Sequence, residues 1–358
     1  MRDPRRQRGL TIVELMVAMV VGLLVVIAAT GTLGFLEASK RTSTGGNSAL
    51  ENGIAVLGTL EHDVKMAGLG FSSTGKLACP SLNVFYEGTK RLDGARFVPV
   101  AVTAGTNAPD SVTITYADFT LAAAPSTLFL PMTSPDAEVI VENAGAIAVG
   151  DIAVLANPGS GAPCTVISVT SVATSPPGTI RIGHGSGGPF NPASVASTFA
   201  SATAYPRNAT INQANGLTWT TYRINADSRL ELVNHLTGEV LVLADNVVGL
   251  KVQYGVTEAP GKTTITDWVD AVDAWANPDP AQVAQIRAIR VGLLLRNPQR
   301  EKPASGSADC ATTTAVPEAW PNGPRFDYVT ALPDWQCYRY RTMRTTIPLK
   351  NLNWAGVT

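Results

Sequence analysis

Charge, histidine and cysteine are all scarce in this chain. Only 15% of its 358 residues are Asp, Glu, Lys or Arg, against roughly 25% in an average soluble protein. The 27 basic and 28 acidic side chains nearly cancel, giving a formal net charge of −1, so no global field would draw in nucleic acid or an acidic membrane surface. Three histidines and four cysteines, with no C-x-x-C pair among them, do not make a structural zinc set. There is no G-x-S-x-G, no H-E-x-x-H and no cysteine with an evident histidine partner. No catalytic constellation follows, and neither an enzymatic activity nor a cofactor is expected. Turn formers, in contrast, are plentiful: 32 Gly and 24 Pro suit a loop-rich extracytoplasmic β protein.

One long apolar run stands at the start. Arg2, Arg5, Arg6 and Arg8 precede it, and from Leu15 to Ala29 no side chain carries a charge. Such a basic flank keeps the start of the segment cytoplasmic while the remainder is exported. A cleaved secretory signal, a permanent anchor, or an anchor that later serves another purpose would all fit. Ala28 and Ala29 form an A-x-A-like end, but the helical pattern does not stop there. Leu33, Leu36, Leu50, Ile54, Leu57, Leu60 and Val64 continue an apolar stripe at mostly three- and four-residue steps, with Glu51, Glu61, Asp63 and Lys65 read as facing elsewhere. One helix is therefore expected from Leu10 to about Lys65, on the order of 80 Å against the bilayer's roughly 30 Å. Gly45 and Gly46 are expected to loosen it midway, each costing about 1 kcal/mol relative to Ala.

Glu14 is the anomaly, a carboxylate at the head of an apolar segment, where charge is costly unless paired. Gly9, then Leu10-Thr11-Ile12-Val13-Glu14 and the long apolar helix, resemble the processing signal of type IV pilins and pseudopilins. The resemblance implies that a membrane prepilin peptidase cuts between Gly9 and Leu10 and methylates the new N-terminus. Leu10 stands where the family usually has Phe. It also implies that Glu14 pairs with the freed amine of a neighbouring subunit during assembly. The competing reading has Glu14 serving only the N-terminus of its own helix.

Beyond Gly68 the period changes to that of strands separated by Gly, Pro, Asn and Asp turns, and an α+β fold is expected, with the long N-terminal helix followed by a large antiparallel β-rich head with long loops. Strands are read at Ser111 to Tyr116, Asp151 to Ala156, Cys164 to Val169, Leu230 to Val233, Val247 to Tyr254 and, as a buried one, Ile286 to Asn297. Leu230 to Val233 and Glu239 to Leu243 read as a hairpin. In Tyr338-Arg339-Tyr340-Arg341 alternation places tyrosines on one face and arginines on the other. Long loops are read at residues 159–161, 183–192 and 303–323. In an oxidising compartment the four cysteines allow three pairings. Cys310 with Cys337 is favoured because the two bracket a Pro-rich loop, leaving Cys79 with Cys164, and buried free thiols are the alternative.

Further marks narrow the resemblance to PilW-like minor pilins: Leu50-Glu51-Asn52-Gly53 with Asp63 and Met66-Ala67-Gly68, Asp245 to Gly255, Arg290 to Arg296, and Tyr338 to Leu352. This implies a leader over residues 1–9, a transmembrane and assembly helix over 10–67 and a periplasmic head over 68–358. It implies a subunit that primes a type IV pilus and sits at or near its tip, moving from the inner membrane to the extracellular fibre. Implied partners are the prepilin peptidase, other minor pilins, the major pilin and a large tip adhesin. The nearest rival is a minor pseudopilin of a type II secretion system. Further off stand a DNA- or surface-binding tip subunit and a periplasmic protein with an ordinary signal peptide.

Three other patterns are read as bland. Gly183-His184-Gly185-Ser186-Gly187-Gly188 follows a possible strand, Thr179 to Ile182, but Pro189 and Pro192 oppose the helix that a dinucleotide site needs. Asp267, Asp270, Asp273 and Asp279 lack EF-hand spacing and read as the solvated face of a short amphipathic helix containing Trp268 and Trp275. Arg339, Arg341, Arg344 and Lys350 read as a solvent-facing strand edge rather than a DNA site.

Overall fold

The computed structural model describes residues 11–73, 76–118, 125–175, 178–303, 307 and 309–353. One helix of 55 residues, Ile12–Met66, leads into the head. It runs unbroken through Gly45 and Gly46, where the sequence predicts loosening. A break there would orphan the last carbonyls of one half and the first amides of the other, which outweighs two glycine penalties of about 1 kcal/mol each.

The last turns of the helix seal one side of a β sandwich. A five-stranded antiparallel sheet runs in the order Val240–Asp245, Arg229–Asn234, Gly216–Ile224, Ser111–Asp118, Val100–Thr103. A four-stranded antiparallel sheet runs Asp267–Asp270, Val247–Val256, Ile286–Arg296, Tyr340–Pro348. Val56, Leu57, Leu60 and Val64 of the helix share one core with Ile114, Tyr222, Leu250, Tyr254, Ile289, Val291 and Ile347 from the two sheets. The expected hairpin is present, Arg229–Asn234 against Val240–Asp245, with a bulge at Leu230 and Glu231. Ile286–Arg296 is a buried strand, as expected. Half-buried Tyr338 and Tyr340 alternate with exposed Arg339 and Arg341.

A second lobe carries a six-stranded sheet, Thr89–Arg96, Ser81–Tyr86, Cys164–Ser168, Ile152–Ala156, Thr210–Ala214, Ser126–Thr127. Val139–Val141, Thr179–Gly183 and Ser171–Ser175 form a smaller one beside it. Among the described residues the head is antiparallel with one exception: Cys164 and Thr165 pair in parallel with Leu82 and Asn83. The four cysteines form two disulfides, Cys79–Cys164 and Cys310–Cys337.

Two details of the helix face differ from the periodicity. Ile54, read as part of the stripe, is 58% exposed. Asp63, read as facing elsewhere, is 8% exposed and turned into the head, where it accepts hydrogen bonds from the Tyr222 hydroxyl at 2.6 Å and the Tyr116 hydroxyl at 3.2 Å. Burial pushes both tyrosines above their ordinary range, and the neighbouring carboxylate adds to it. A buried acid is tolerated because both donors satisfy it. Asp63→Ala would strand those hydroxyls and is expected to cost about 1–3 kcal/mol. Glu61→Ala, which removes only a half-buried pair with Lys65 one turn away, is expected to cost about 0.3–0.5 kcal/mol. Denaturant midpoints of the full chain in detergent micelles check the ordering, and equal losses would show that Asp63 does not anchor the helix.

The acidic segment is also reorganised. Asp267–Asp270 is a strand, with Trp268 opposite Gly255, and Trp275 lies in a separate short turn of helix, Asp273–Trp275. Pairing with Val247–Val256 overrides the three-residue recurrence of Asp. Asp279 caps the next short helix, accepting from the Gln282 amide at 2.9 Å.

Candidate functional site

The N-terminal segment is built from a few residues. Thr11 is the helix cap: its backbone is extended and its hydroxyl accepts from the Glu14 amide at 3.3 Å. Glu14 reaches back, its Oε2 accepting from the Thr11 amide and the Thr11 hydroxyl, each at 3.2 Å. This reciprocal capping box satisfies amides at the exposed start of the helix. It consumes one carboxylate oxygen, and among the described residues Oε1 has no partner. The pattern T-x-x-E that specifies the box is legible in four residues, yet the sequence reading assigns Glu14 without Thr11.

Behind Glu14 the segment Ile12–Thr30, 19 residues, is apolar enough and long enough to cross a bilayer, and none of it is buried by the head. At roughly 1.5 Å per residue it spans on the order of 28 Å, close to a hydrocarbon core of about 30 Å. Its last hydroxyl, on Thr30, turns back to the carbonyls of Val26 and Ile27 at 2.9 and 3.0 Å, so that side chain does not present an unpaired donor to lipid. Glu14 is the only charge in that span. Gly9 and Leu10, the expected processing pair, lie outside the described residues.

At the other end, the marks read from the sequence meet in space. Gly53 lets the helix press on the head: a Cβ there would crowd Met343 Sδ and lie 2.7 Å from Leu295 Cδ1, so a larger residue would push those side-chain ends aside. Asn351, near the C-terminus, donates through Nδ2 to the carbonyls of Lys65, Met66 and Ala67 at 3.1, 3.0 and 3.2 Å. It thereby closes the helix end with a side chain from nearly 300 residues away. Gly292 similarly admits Ala319, whose Cβ would stand 2.8 Å from any Cβ added at that glycine, beneath the loop that Cys310–Cys337 ties down.

The Gly183 to Gly188 loop is organised by Asn191, whose Nδ2 donates to Ser168, Gly185 and Gly187 carbonyls within 2.9 Å. The short helix that follows, Val195–Thr198, is capped by Ser194. Among the described residues, no three His, Cys, Asp or Glu side chains gather as a metal set. Arg339 pairs with Glu301 at 2.9 Å, while Arg341, Arg344 and Lys350 are exposed along the C-terminal strand and just past it.

The family model described as Type IV Pilus-assembly protein W matches residues 221–351, which contain the four-stranded sheet, the Cys310–Cys337 loop and Asn351. The prokaryotic N-terminal methylation motif matches residues 4–30, which contain Gly9, Thr11 and Glu14. No curated protein and no solved structure matches the chain. The two family matches imply prepilin processing and pilin partners in general. Over those two stretches, with an apolar N-terminal helix and an antiparallel β-rich head between and around them, the chain is similar to PilW-like type IV pilins.

Proposed function

We propose that this chain is a non-enzymatic minor pilin. It waits in the inner membrane as a single-pass protein with residues 68–358 in the periplasm, and the prepilin peptidase removes residues 1–9 by cutting between Gly9 and Leu10. It then joins other minor pilins and the major pilin, priming a type IV pilus and standing at or near its tip, where a large adhesin is a further partner. Leu15 to Ala29 exchange lipid for neighbouring helices on leaving the bilayer. Glu14 then meets the positive N-terminal amine of an adjacent subunit, a burial that an ion survives only when paired.

One observation supports this reading above the others: a fully exposed apolar span whose sole charge is Glu14, continuous with a helix locked into the head by Gly53, Asp63 and Asn351. A secretory signal would not need that rigid continuation. N-terminal sequencing and intact mass of the membrane-extracted protein test it. The expected mature chain begins at Leu10 and has 349 residues, 358 − 9, whereas Gly9→Ala leaves the uncut chain. Cleavage after about Ala29 would overturn the proposal. Loss of secretion with intact twitching in a deletion strain would instead identify a pseudopilin.

A further inference from the structure

The strand Tyr340–Pro348 is the outer strand of the four-stranded sheet. Its register against Ile286–Arg296, together with the Asn297 amide to Arg339 carbonyl and the Leu349 amide to Arg287 carbonyl bonds, fixes which way each backbone group points. Odd-numbered residues bond inward to the neighbouring strand, and even-numbered ones point their N–H and C=O away from it. Thr342, Arg344 and Thr346 thus present amides and carbonyls along the free edge, and all three residues are exposed. None of these amides has a partner among the described residues. Pro348 occupies an outward position in the same strand, where its missing N–H costs no ladder bond.

Beside this edge lies an open groove lined by Arg290, Trp320, Pro321, Arg344 and Thr346. Its continuation along Thr342 includes Glu318, which is paired with Arg325 at 3.6 Å. Arg290 is clamped between two indole rings, 4.8 Å from Trp268 and 4.3 Å from Trp320, and its Nε donates to Gln253 at 2.7 Å. Arg344 makes no ion pair among the described residues. The groove therefore combines a fixed cation, a cation without an ion pair among the described residues, an aromatic wall and a row of outward-facing backbone groups.

We infer that this edge is a docking strand for an extended acidic peptide segment of a partner protein, which adds to the sheet by backbone pairing and sets its carboxylates against Arg344 and Arg290. Outward residues repeat every second position, roughly 6.6 Å apart, which is the spacing that another strand offers. Nucleic acid would match the arginines but leave the carbonyls of Thr342, Arg344 and Thr346 without donors of that period. A second copy of the same strand, laid antiparallel about Arg344, would oppose like charges. An acidic strand satisfies both the backbone and the cations.

The probe is a fluorescent nine-residue peptide alternating Val and Glu between terminal Thr residues, titrated by anisotropy into the full chain in detergent micelles. Saturable binding is expected, with its Lys counterpart and a version carrying Pro at alternate positions failing to bind. Arg344→Glu is expected to weaken binding at least about tenfold, the loss of one charge-assisted contact. Thr346→Pro removes an outward donor without touching the ladder, and is expected to weaken binding about as much while the melting temperature stays unchanged. No binding, equal binding of the Lys peptide, or affinity indifferent to Thr346→Pro would overturn the inference. Duplex DNA that binds and is likewise indifferent to Thr346→Pro would reveal an electrostatic surface instead.

Discussion

Glu14→Val is expected to leave the chain processed and inserted yet nearly absent from sheared filaments. In the proposed assembly the carboxylate and a neighbouring amine enter an apolar bundle together, and removing one partner of a buried pair costs about 3–5 kcal/mol because the other charge is left uncompensated. That corresponds to a fall of more than about a hundredfold in incorporation. The structure supplies a control that separates two roles. Glu14 also caps its own helix through Thr11, and Gln in its place keeps that capping geometry while losing the charge. Glu14→Gln should therefore preserve the helix and still fail in assembly. Thr11→Ala should lose the cap, about 1 kcal/mol, and still assemble. Quantitative immunoblotting of membrane and filament fractions checks all three. Wild-type levels of Glu14→Gln in fibres, with depletion of Thr11→Ala, would show that the residue matters only as a cap.

The parts of the fold that were legible are those specified locally. The long helix shows in its three- and four-residue apolar steps, and the hairpin around Asn234 to Gly238 in its turn residues. Ile286–Arg296 is evident as a run of Ile, Val and Leu. Thr11-x-x-Glu14 is equally local. What the sequence concealed depends on distant partners. Asp63 reads as a solvent-facing acid because its two hydroxyl donors lie 53 and 159 positions away. Asn351 gives no sign of being a helix cap, since the carbonyls it closes are 284 to 286 positions upstream. Thr89–Arg96, largely polar and only half-buried along half its length, becomes a strand only because Ser81–Tyr86 is there to pair with it. Asp267–Asp270 shows the converse, a helical spacing overruled by a neighbouring strand. The candidate site follows the same division: its N-terminal half is written in ten consecutive residues, while the anchoring of the helix to the head is distributed over the whole chain.

Removing the two disulfides one at a time should reveal unequal contributions. Cys79–Cys164 spans a sequence separation of 85 and Cys310–Cys337 one of 27. In the chain-entropy account, closing those loops in the unfolded chain contributes about 4.6 and about 3.6 kcal/mol respectively. Position widens the gap. Cys79 and Cys164 are fully buried in a core with Phe71, Leu82, Val84 and Phe97, and Cys164 begins a parallel strand contact. The bond thus holds a pairing that lacks a tight hairpin to enforce it. Cys310–Cys337 closes a loop whose own cluster, Val248, Leu294, Ala319, Phe326 and Val329, already packs it onto the sheet. Paired Cys→Ala changes avoid leaving a thiol or a buried hydroxyl, so the midpoint of guanidinium unfolding reads the staple itself. The variant lacking Cys79–Cys164 is expected to lose the most stability and to accumulate least after export. The variant lacking Cys310–Cys337 should remain folded but loosen the wall of the groove beside Tyr340–Pro348. Equal midpoints would mean that residual structure in the unfolded chain, rather than loop length, sets what each bond contributes.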